Sequence, residues 1–339
     1  MQIFAAKKKE LLPRSIAQSV FGLIGHELRL VEDEFERQVR SNIQVINYLG
    51  KYLQASGGKR VRPALLILAN RAVGGSGDRE DVIRLATVME MLHTATLVHD
   101  DIIDNANLRR NRASVNARFG NQTAVLMGDW LYMSAFETSL RERSLEILDI
   151  LTRLTRKMTE GELIQLTMIG RLDMSEDDYF DILKRKTAYL FSACGEIGAI
   201  IAGAAFGQQT AMKDFGMNLG IAFQLADDIL DLTSDAERLG KAAGSDLLEG
   251  KVTLPLIYLQ RADPSMQTRL ERVMLSGQYD ELPRAEIRQK LEYYGAIDEI
   301  RAKANSYAAT AIKSLDVLRK SEYRDALEDI AAFVIDRQT

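Results

Sequence analysis

The chain has 339 residues and a formal net charge of −4, and 46% of its residues are hydrophobic. This composition excludes a disordered chain, and the lack of a basic excess argues against a nucleic-acid-binding protein. The single cysteine, Cys194, cannot form an intramolecular disulfide, and the three histidines are too few and too scattered for a zinc site. We therefore expect a cytoplasmic globular protein.

The apolar runs are too short to enter a membrane as a spanning helix. The first apolar stretch ends at Lys7, which leaves no room for a secretory signal. The longest run, 197–207, is shorter than the roughly 20 residues that a transmembrane helix needs. We expect no transmembrane segment.

Helices are predicted along the whole chain. None of the five prolines lies between residues 64 and 254, and apolar residues such as Val82, Leu85, Met89 and Leu92 recur at three- and four-residue intervals. No alternating strand pattern is convincing. We therefore predict an all-α, single-domain helical bundle over 1–339, with a motif-bearing core at about 36–260 and a C-terminal helical layer at about 265–339.

The first feature with chemical meaning is a group of cations at a predicted helix start. Gly58 is followed by Lys59, Arg60 and Arg62, and Pro63 suits the first helical turn. Cations oppose the helix dipole at this end, whereas anions are favoured there. A bound phosphate or diphosphate would relieve the conflict.

A carboxylate motif follows at the end of the next predicted helix. Asp100 and Asp104 lie one above the other on a helix, and Asp101 lies about 100° round. His93 is two turns earlier on the same face. Clustered carboxylates favour a divalent cation such as Mg²⁺, which bridges protein oxygens to phosphates. For one such motif alone, a solvated acidic face is the alternative.

The same spacing occurs twice more, with different surroundings. Asp177, Asp178 and Asp181 follow Ser175, which predicts a capped helix start rather than a site. Asp227, Asp228 and Asp231 follow an apolar helical run, as the first motif does. Residues with phosphate-binding potential lie near this second motif in the sequence: Lys186, Thr187, Gln224, Lys241 and Lys251.

Taken together, seven stretches are ordered and spaced as in the trans-isoprenyl (polyprenyl) diphosphate synthases, which the chain resembles. These stretches are 57–63, 93–110, 120–132, 161–166, 186–191, 223–231 and 240–256. The resemblance implies antiparallel helices around a deep central cavity, with the two aspartate motifs facing each other across its mouth. It also implies three Mg²⁺ ions in the ternary complex and a homodimer. Asn111 stands where the family usually has glycine, which puts the local turn in doubt.

The resemblance also implies the roles of individual residues. Asp100, Asp101 and Asp104 would hold metal on one side, and Asp227 and Asp228 on the other, with Asp231 nearby. The residues that resemble the isopentenyl diphosphate site are Lys59, Arg62, His93 and Arg110. Those that resemble the allylic diphosphate site are Arg109, Lys186, Thr187, Gln224 and Lys241.

The implied activity is Mg²⁺-dependent condensation of isopentenyl diphosphate onto an allylic diphosphate such as farnesyl diphosphate. The product would be an all-trans polyprenyl diphosphate for a quinone side chain, with transient membrane association for its release. Three alternatives stay open: a short-chain farnesyl or geranylgeranyl diphosphate synthase, a class I terpene cyclase, and an inactive helical partner subunit. The complete pair of aspartate motifs and the second diphosphate site favour the elongating enzyme.

A long product, about thirty carbons or more, is predicted from small residues near the first motif. Ala95 and Thr96 lie about one turn below Asp100, where family members that stop early often carry bulky aromatic residues. Leu92 is a weaker barrier one turn deeper. The floor is expected from the helix beginning near residue 128, through Tyr132 and Phe136.

Overall fold

The computed structural model describes residues 20–55, 57–58, 60–110, 112–233 and 244–336. These residues form helices joined by short loops, which confirms the all-α prediction. Where strands occur in this part of the chain, they are two residues long: β1 (Leu108–Arg109) pairs antiparallel with β2 (Arg112–Ala113). This small hairpin lies in the polar segment that follows the first aspartate motif.

The first half of the chain contributes α1 (Gly25–Gln38), α2 (Gln44–Ala55), α3 (Val61–Ala72), α4 (Glu80–Ile103), α5 (Val115–Phe119), α6 (Asn121–Leu140) and α7 (Leu145–Met168). The middle contributes α8 (Glu176–Leu183), a π-helical turn (Lys184–Ala188), α9 (Tyr189–Ile201) and α10 (Phe206–Thr233). The remainder contributes α11 (Ser245–Leu248), α12 (Leu254–Ala262), α13 (Met266–Ser276), α14 (Arg284–Tyr293), α15 (Ala296–Ser314), a 3₁₀ turn (Leu315–Val317) and α16 (Glu322–Asp336).

Local sequence explains where several helices begin. Ser144 and Ser175 accept hydrogen bonds from backbone N–H groups in the first turns of α7 and α8. At α8 the Asp178 carboxylate also accepts from the Ser175 N–H, which completes a capping box. The sequence prediction that the third aspartate motif is a helix start is therefore confirmed.

The core is built around α10, which packs closely against α9 on one side and α15 on another. Gly195 and Gly216 allow the first contact. A Cβ at Gly195 would lie 2.1 Å from the Met212 carbonyl oxygen, and one at Gly216 would lie 2.3 Å from the Phe191 carbonyl oxygen. The two helices therefore approach until side chains no longer separate their backbones.

The C-terminal helices take part in this core. Ala304, Ala308 and Ala311 of α15 are fully buried, and α16 packs against α3. Within the described ranges, no helix has both the length and the apolar character needed to cross a lipid bilayer.

Candidate active site

A cavity with a volume of about 1300 Å³ is lined by residues of both aspartate motifs. Asp100 and Asp104 enter from the C-terminal end of α4, and Asp227 and Asp228 enter from α10. Other parts of the wall come from α3, α6, α7, α8, the π-helical turn, α9 and residues 106–110 and 245–253. The helices thus bring together two motifs that are more than a hundred residues apart in the sequence.

The three aspartates of the first motif have different surroundings. Asp101 is buried outside this cavity, and its carboxylate accepts a hydrogen bond of 2.8 Å from Arg109 Nε. Asp104 faces the cavity and forms an ion pair of 2.8 Å with Lys251 Nζ. Lys251 also contacts Glu249, at 2.7 Å. Burial alone would lower the pKa of Lys251, but the two carboxylates outweigh it and raise that pKa.

Asp100 has the surroundings of a metal ligand. Burial raises the pKa of its carboxyl to about 7, with Glu162 and Asp104 acting in the same direction and Lys186 against it. A raised carboxyl pKa means that the negative charge is costly there without a cation. A divalent cation would remove that cost.

The second motif is set into a hydrogen-bonded cluster. Asp228 is only 3% exposed and accepts hydrogen bonds from Tyr179 Oη at 2.6 Å and from Gln224 Nε2 at 2.8 Å. Burial raises the pKa of Asp228 to about 7, and Asp246 adds to the effect. Asp231 is buried one turn further on and does not line the cavity.

These carboxylates fit Mg²⁺. Among the side chains that the structure describes, no three acidic, histidine or cysteine groups converge on a single metal position. Mg²⁺ is commonly held by one or two carboxylates, with water and substrate phosphates completing its octahedron. Two pairs of carboxylates in one cavity, with a charge penalty already present at Asp100 and Asp228, match that requirement.

Lys186 and Thr187 reach the cavity from the π-helical turn. Lys186 Nζ forms an ion pair of 2.8 Å with Glu162 of α7 and also donates to Gln165. Thr187 Oγ1 donates to Gln224 Oε1 at 2.9 Å. The cation and the hydroxyl therefore belong to the wall of the cavity that both motifs line.

A second group of cations adjoins the first motif. Arg62 Nη1 lies 3.0 Å from His93 Nε2, and its guanidinium stacks 5.1 Å from the Phe191 ring centre. Arginine can only donate, so Nε2 of His93 is the acceptor. Burial and then the Arg62 charge hold the pKa of His93 well below its usual value, so the ring is neutral.

Arg60, which the sequence analysis grouped with Lys59 and Arg62, has a structural role. It caps α3 with a left-handed φ of 50° and forms ion pairs with Glu32 and with the buried Glu90, the latter at 2.7 Å. It does not line the large cavity. Arg60 therefore braces the turn before α3, whereas Arg62, Arg109 and Arg110 line the cavity.

The predicted chain-length residues divide into two groups. Thr96 and Tyr132 line the cavity, and the Tyr132 ring stacks on His99 with 5.9 Å between ring centres. Leu92 and Ala95 are fully buried in the core instead, and Phe136 is half-buried beside it. None of these last three lines the cavity. The helix that carries Tyr132 begins at Asn121, earlier than expected.

Three residues of the sequence analysis lie outside the described residues: Lys59, Asn111 and Lys241. Conversely, the structure adds side chains that were not assigned a role: Glu90, Glu162, Gln165, Tyr179 and Asp246. Glu162 and Gln165 lie in the stretch 161–166, which the sequence analysis had already matched to the family, so the sequence did point to them. Tyr179 lies between the acids of the third motif, which was set aside.

Comparison with known proteins agrees with this geometry. Residues 43–291 match the family model described as polyprenyl synthetase. The chain is 36% identical to the octaprenyl diphosphate synthase of Haemophilus influenzae, over 98% of this chain and 99% of that protein.

Two solved structures are also similar over nearly their whole length. A polyprenyl synthase from Caulobacter crescentus, complexed with calcium and isoprenyl diphosphate, has a TM-score of 0.90 at 35% identity and covers 98% of this chain and 100% of its own. A decaprenyl diphosphate synthase from Rhodobacter capsulatus has a TM-score of 0.89 at 32% identity, with 95% and 99% covered.

Proposed function

The chain belongs to the polyprenyl synthetase family and is a trans-prenyltransferase, and on this premise we propose its substrates, metal and product. It condenses isopentenyl diphosphate onto an allylic diphosphate such as farnesyl diphosphate and forms a long all-trans polyprenyl diphosphate for a quinone side chain. The observation that carries the proposal is the shared cavity, in which two aspartate motifs face each other beside the Arg62 and His93 pair. The long-chain relatives support the product class.

We assign the diphosphate end of the allylic substrate to the space between the motifs. Asp100, Asp104, Asp227 and Asp228 line it and would hold Mg²⁺, of which three ions are proposed in the ternary complex. Asp101 acts through Arg109, which it orients, and Asp231 lies behind the site. When bound, the metal neutralises charge that develops on the departing diphosphate. Lys186 adds a fixed positive charge on the same side.

The remaining wall suits the carbocation that is left when the diphosphate departs. Leu190, Phe223 and Met158 present apolar surface to the cavity, and Thr96 and Tyr132 lie further along α4 and α6. Such a wall excludes water that would quench the cation. It also gives the growing apolar tail a place to be buried.

Isopentenyl diphosphate is assigned to the cations on the other side of α4. Arg62, Arg110 and the neutral His93 face the cavity there, and Lys59, which lies outside the described residues, is proposed to join them. Because His93 Nε2 accepts from Arg62, the ring fixes the guanidinium rather than adding charge. The charge that binds this diphosphate therefore comes from the arginines.

Purified protein incubated with Mg²⁺, isopentenyl diphosphate and farnesyl diphosphate tests the proposal through the size of its products. Chains of about thirty carbons or more support it. A product that stops at about twenty carbons identifies a short-chain synthase, and a cyclic hydrocarbon identifies a cyclase. Elongation of dimethylallyl diphosphate but not of farnesyl diphosphate identifies a farnesyl diphosphate synthase, and no reaction with either primer identifies an inactive subunit.

Replacing Arg110 with alanine is expected to weaken isopentenyl diphosphate binding by about ten- to a hundredfold and to leave the allylic substrate less affected. Arg109→Ala is expected to do the reverse, because Arg109, oriented by Asp101, lines the cavity and is assigned to the allylic diphosphate. Steady-state KM values for both substrates measure the split. Equal effects of both variants on both substrates would contradict the two-site assignment.

Thr96→Phe is expected to shorten the main product to about fifteen or twenty carbons, because a phenyl group would enter the cavity one turn below Asp100. Thr152→Phe is the control, since Thr152 lies exposed on α7 away from the cavity. Radio-labelled products separated by chain length give the answer. An unchanged product from Thr96→Phe would show that the tail runs elsewhere.

We also propose a homodimer in the cytoplasm. Leu126, Met133 and Leu140 recur every seven residues on one face of α6 and are 68%, 63% and 50% exposed. A repeated apolar stripe on a helix surface is typical of a face that packs against another helix. This face supports the pairing of two copies.

Membrane contact is proposed to be transient, during release of the apolar product.

A further inference from the structure

Asp228 of the second motif has both carboxylate oxygens engaged by neutral donors. Tyr179 Oη donates to Oδ2 at 2.6 Å, and Gln224 Nε2 donates to Oδ1 at 2.8 Å. Thr187 Oγ1 donates in turn to Gln224 Oε1 at 2.9 Å, which sets the direction of the Gln224 amide. Four side chains from α8, the π-helical turn and α10 thus form one chain of hydrogen bonds.

The part of this hydrogen-bond network formed by Tyr179 and Asp228 is shielded from water. Tyr179 is 6% exposed and Asp228 is 3% exposed. Asp246 and Asp227 are acidic groups near Asp228, and both disfavour the charged form of its carboxylate. Two neutral donors hold it there without cancelling its charge. Each oxygen keeps further acceptor capacity, because an ionised carboxylate has about four lone-pair positions.

We propose that Tyr179 is a positioning residue for the second aspartate motif. Its hydroxyl fixes the orientation of Asp228, so that the free lone pairs of the carboxylate point into the cavity toward a divalent cation. The inference rests on the proposed function. Hydrogen-bond donors that orient metal-ligating carboxylates contribute strongly to metal affinity.

The third aspartate motif, 177–181, thus contributes to the site through its tyrosine and not through its aspartates. The acids of 177–181 cap α8 and pair along it, and Tyr179 between them faces inward. It also changes what Thr187 and Gln224 do. Both act on Asp228 through hydrogen bonds, as Tyr179 does from the opposite side.

The test compares Tyr179→Phe with Tyr258→Phe in the full-length protein. Tyr258 is a matched control because it is also buried, at 2% exposure, and its hydroxyl donates to Glu176 at 3.1 Å, away from the metal motifs. The probe is Mn²⁺ with inorganic diphosphate, and free Mn²⁺ is measured by electron paramagnetic resonance. Mn²⁺ binding should weaken about tenfold in Tyr179→Phe and stay within about twofold of wild type in Tyr258→Phe.

Three further measurements separate positioning from a loss of packing. On an Asp228→Asn background, Tyr179→Phe should cause no additional loss of Mn²⁺ affinity, because the group that it orients is gone. Gln224→Leu, which removes the other donor to Asp228, should weaken Mn²⁺ binding as Tyr179→Phe does. The KM for isopentenyl diphosphate should stay unchanged in Tyr179→Phe.

Unchanged Mn²⁺ affinity in Tyr179→Phe overturns the inference, as does an equal loss in Tyr258→Phe or an additive loss with Asp228→Asn. If Tyr179→Phe does not fold, unchanged affinity in Gln224→Leu overturns it instead. These outcomes are independent of the proposed function. That function fails only if the wild-type protein forms no prenyl chain from the two diphosphates.

Discussion

Asp100→Ala and Asp227→Ala are each expected to lower turnover by about a thousandfold or more while the protein stays folded. Each change removes a carboxylate that faces its counterpart across the cavity, where the leaving diphosphate develops charge. For Asp100, burial has already raised the carboxyl pKa to about 7, so the folded protein bears a cost to place it there. Removing such a group is expected to leave stability equal or higher.

The third aspartate motif supplies the matched control. Asp177 has the same place in its motif as Asp100 and Asp227, but it is exposed in the first turn of α8. Asp177→Ala should keep near-normal activity. Initial rates with saturating substrates measure the effect, and far-ultraviolet circular dichroism checks the fold. Near-normal turnover in Asp100→Ala or Asp227→Ala, with an unchanged spectrum, would exclude the metal assignment.

Gly216→Ala is expected to destabilise the protein by about 3 kcal/mol, because overpacking against rigid backbone is not easily relaxed. The added Cβ would lie 2.3 Å from the Phe191 carbonyl oxygen, well inside contact distance. To relieve the contact, α9 and α10 must separate along the core. Urea unfolding followed by circular dichroism measures the change in the free energy of unfolding.

Gly207→Ala in the same helix tests whether this loss comes from the contact. A Cβ at Gly207 meets no atom within 4 Å, so alanine there should raise stability, by up to about 1 kcal/mol, through its better helix propensity. The two substitutions are chemically identical and have opposite expected signs. A loss of stability in both would show that the close approach of α9 and α10 is not the cause.

Sequence reasoning succeeded where the information is local. The helical period and the scarcity of prolines predicted an all-α chain, and Ser175 predicted the cap of α8 that separates a helix start from a site. The spacing of Asp100 and Asp104 predicted one helix face, and both line the cavity. These features depend on residues that are close in the chain.

What could not be predicted depends on partners from distant segments. Tyr179 meets Asp228 across 49 residues, and Arg60 meets Glu90 across 30. No periodic pattern encodes such pairs, because the helix packing that creates them is a property of the whole chain. Ala95 and Thr96 illustrate a finer limit. They are neighbours in sequence, but about 100° of rotation places one in the core and the other in the cavity.

The π-helical turn at Lys184–Ala188 joins α8 to α9 and carries two residues of the cavity wall, Lys186 and Thr187. A π-turn contains one residue more than the equivalent α-helical turn, and it can be regarded as a single-residue insertion retained in a helix. Deleting one residue there would restore regular α-helical winding and leave the flanking helices in nearly the same rotational phase. The wide turn itself would be lost, and with it the backbone that places Lys186 and Thr187 in the cavity wall. A change of length in this segment is therefore expected to disturb the site even where every wall residue is kept.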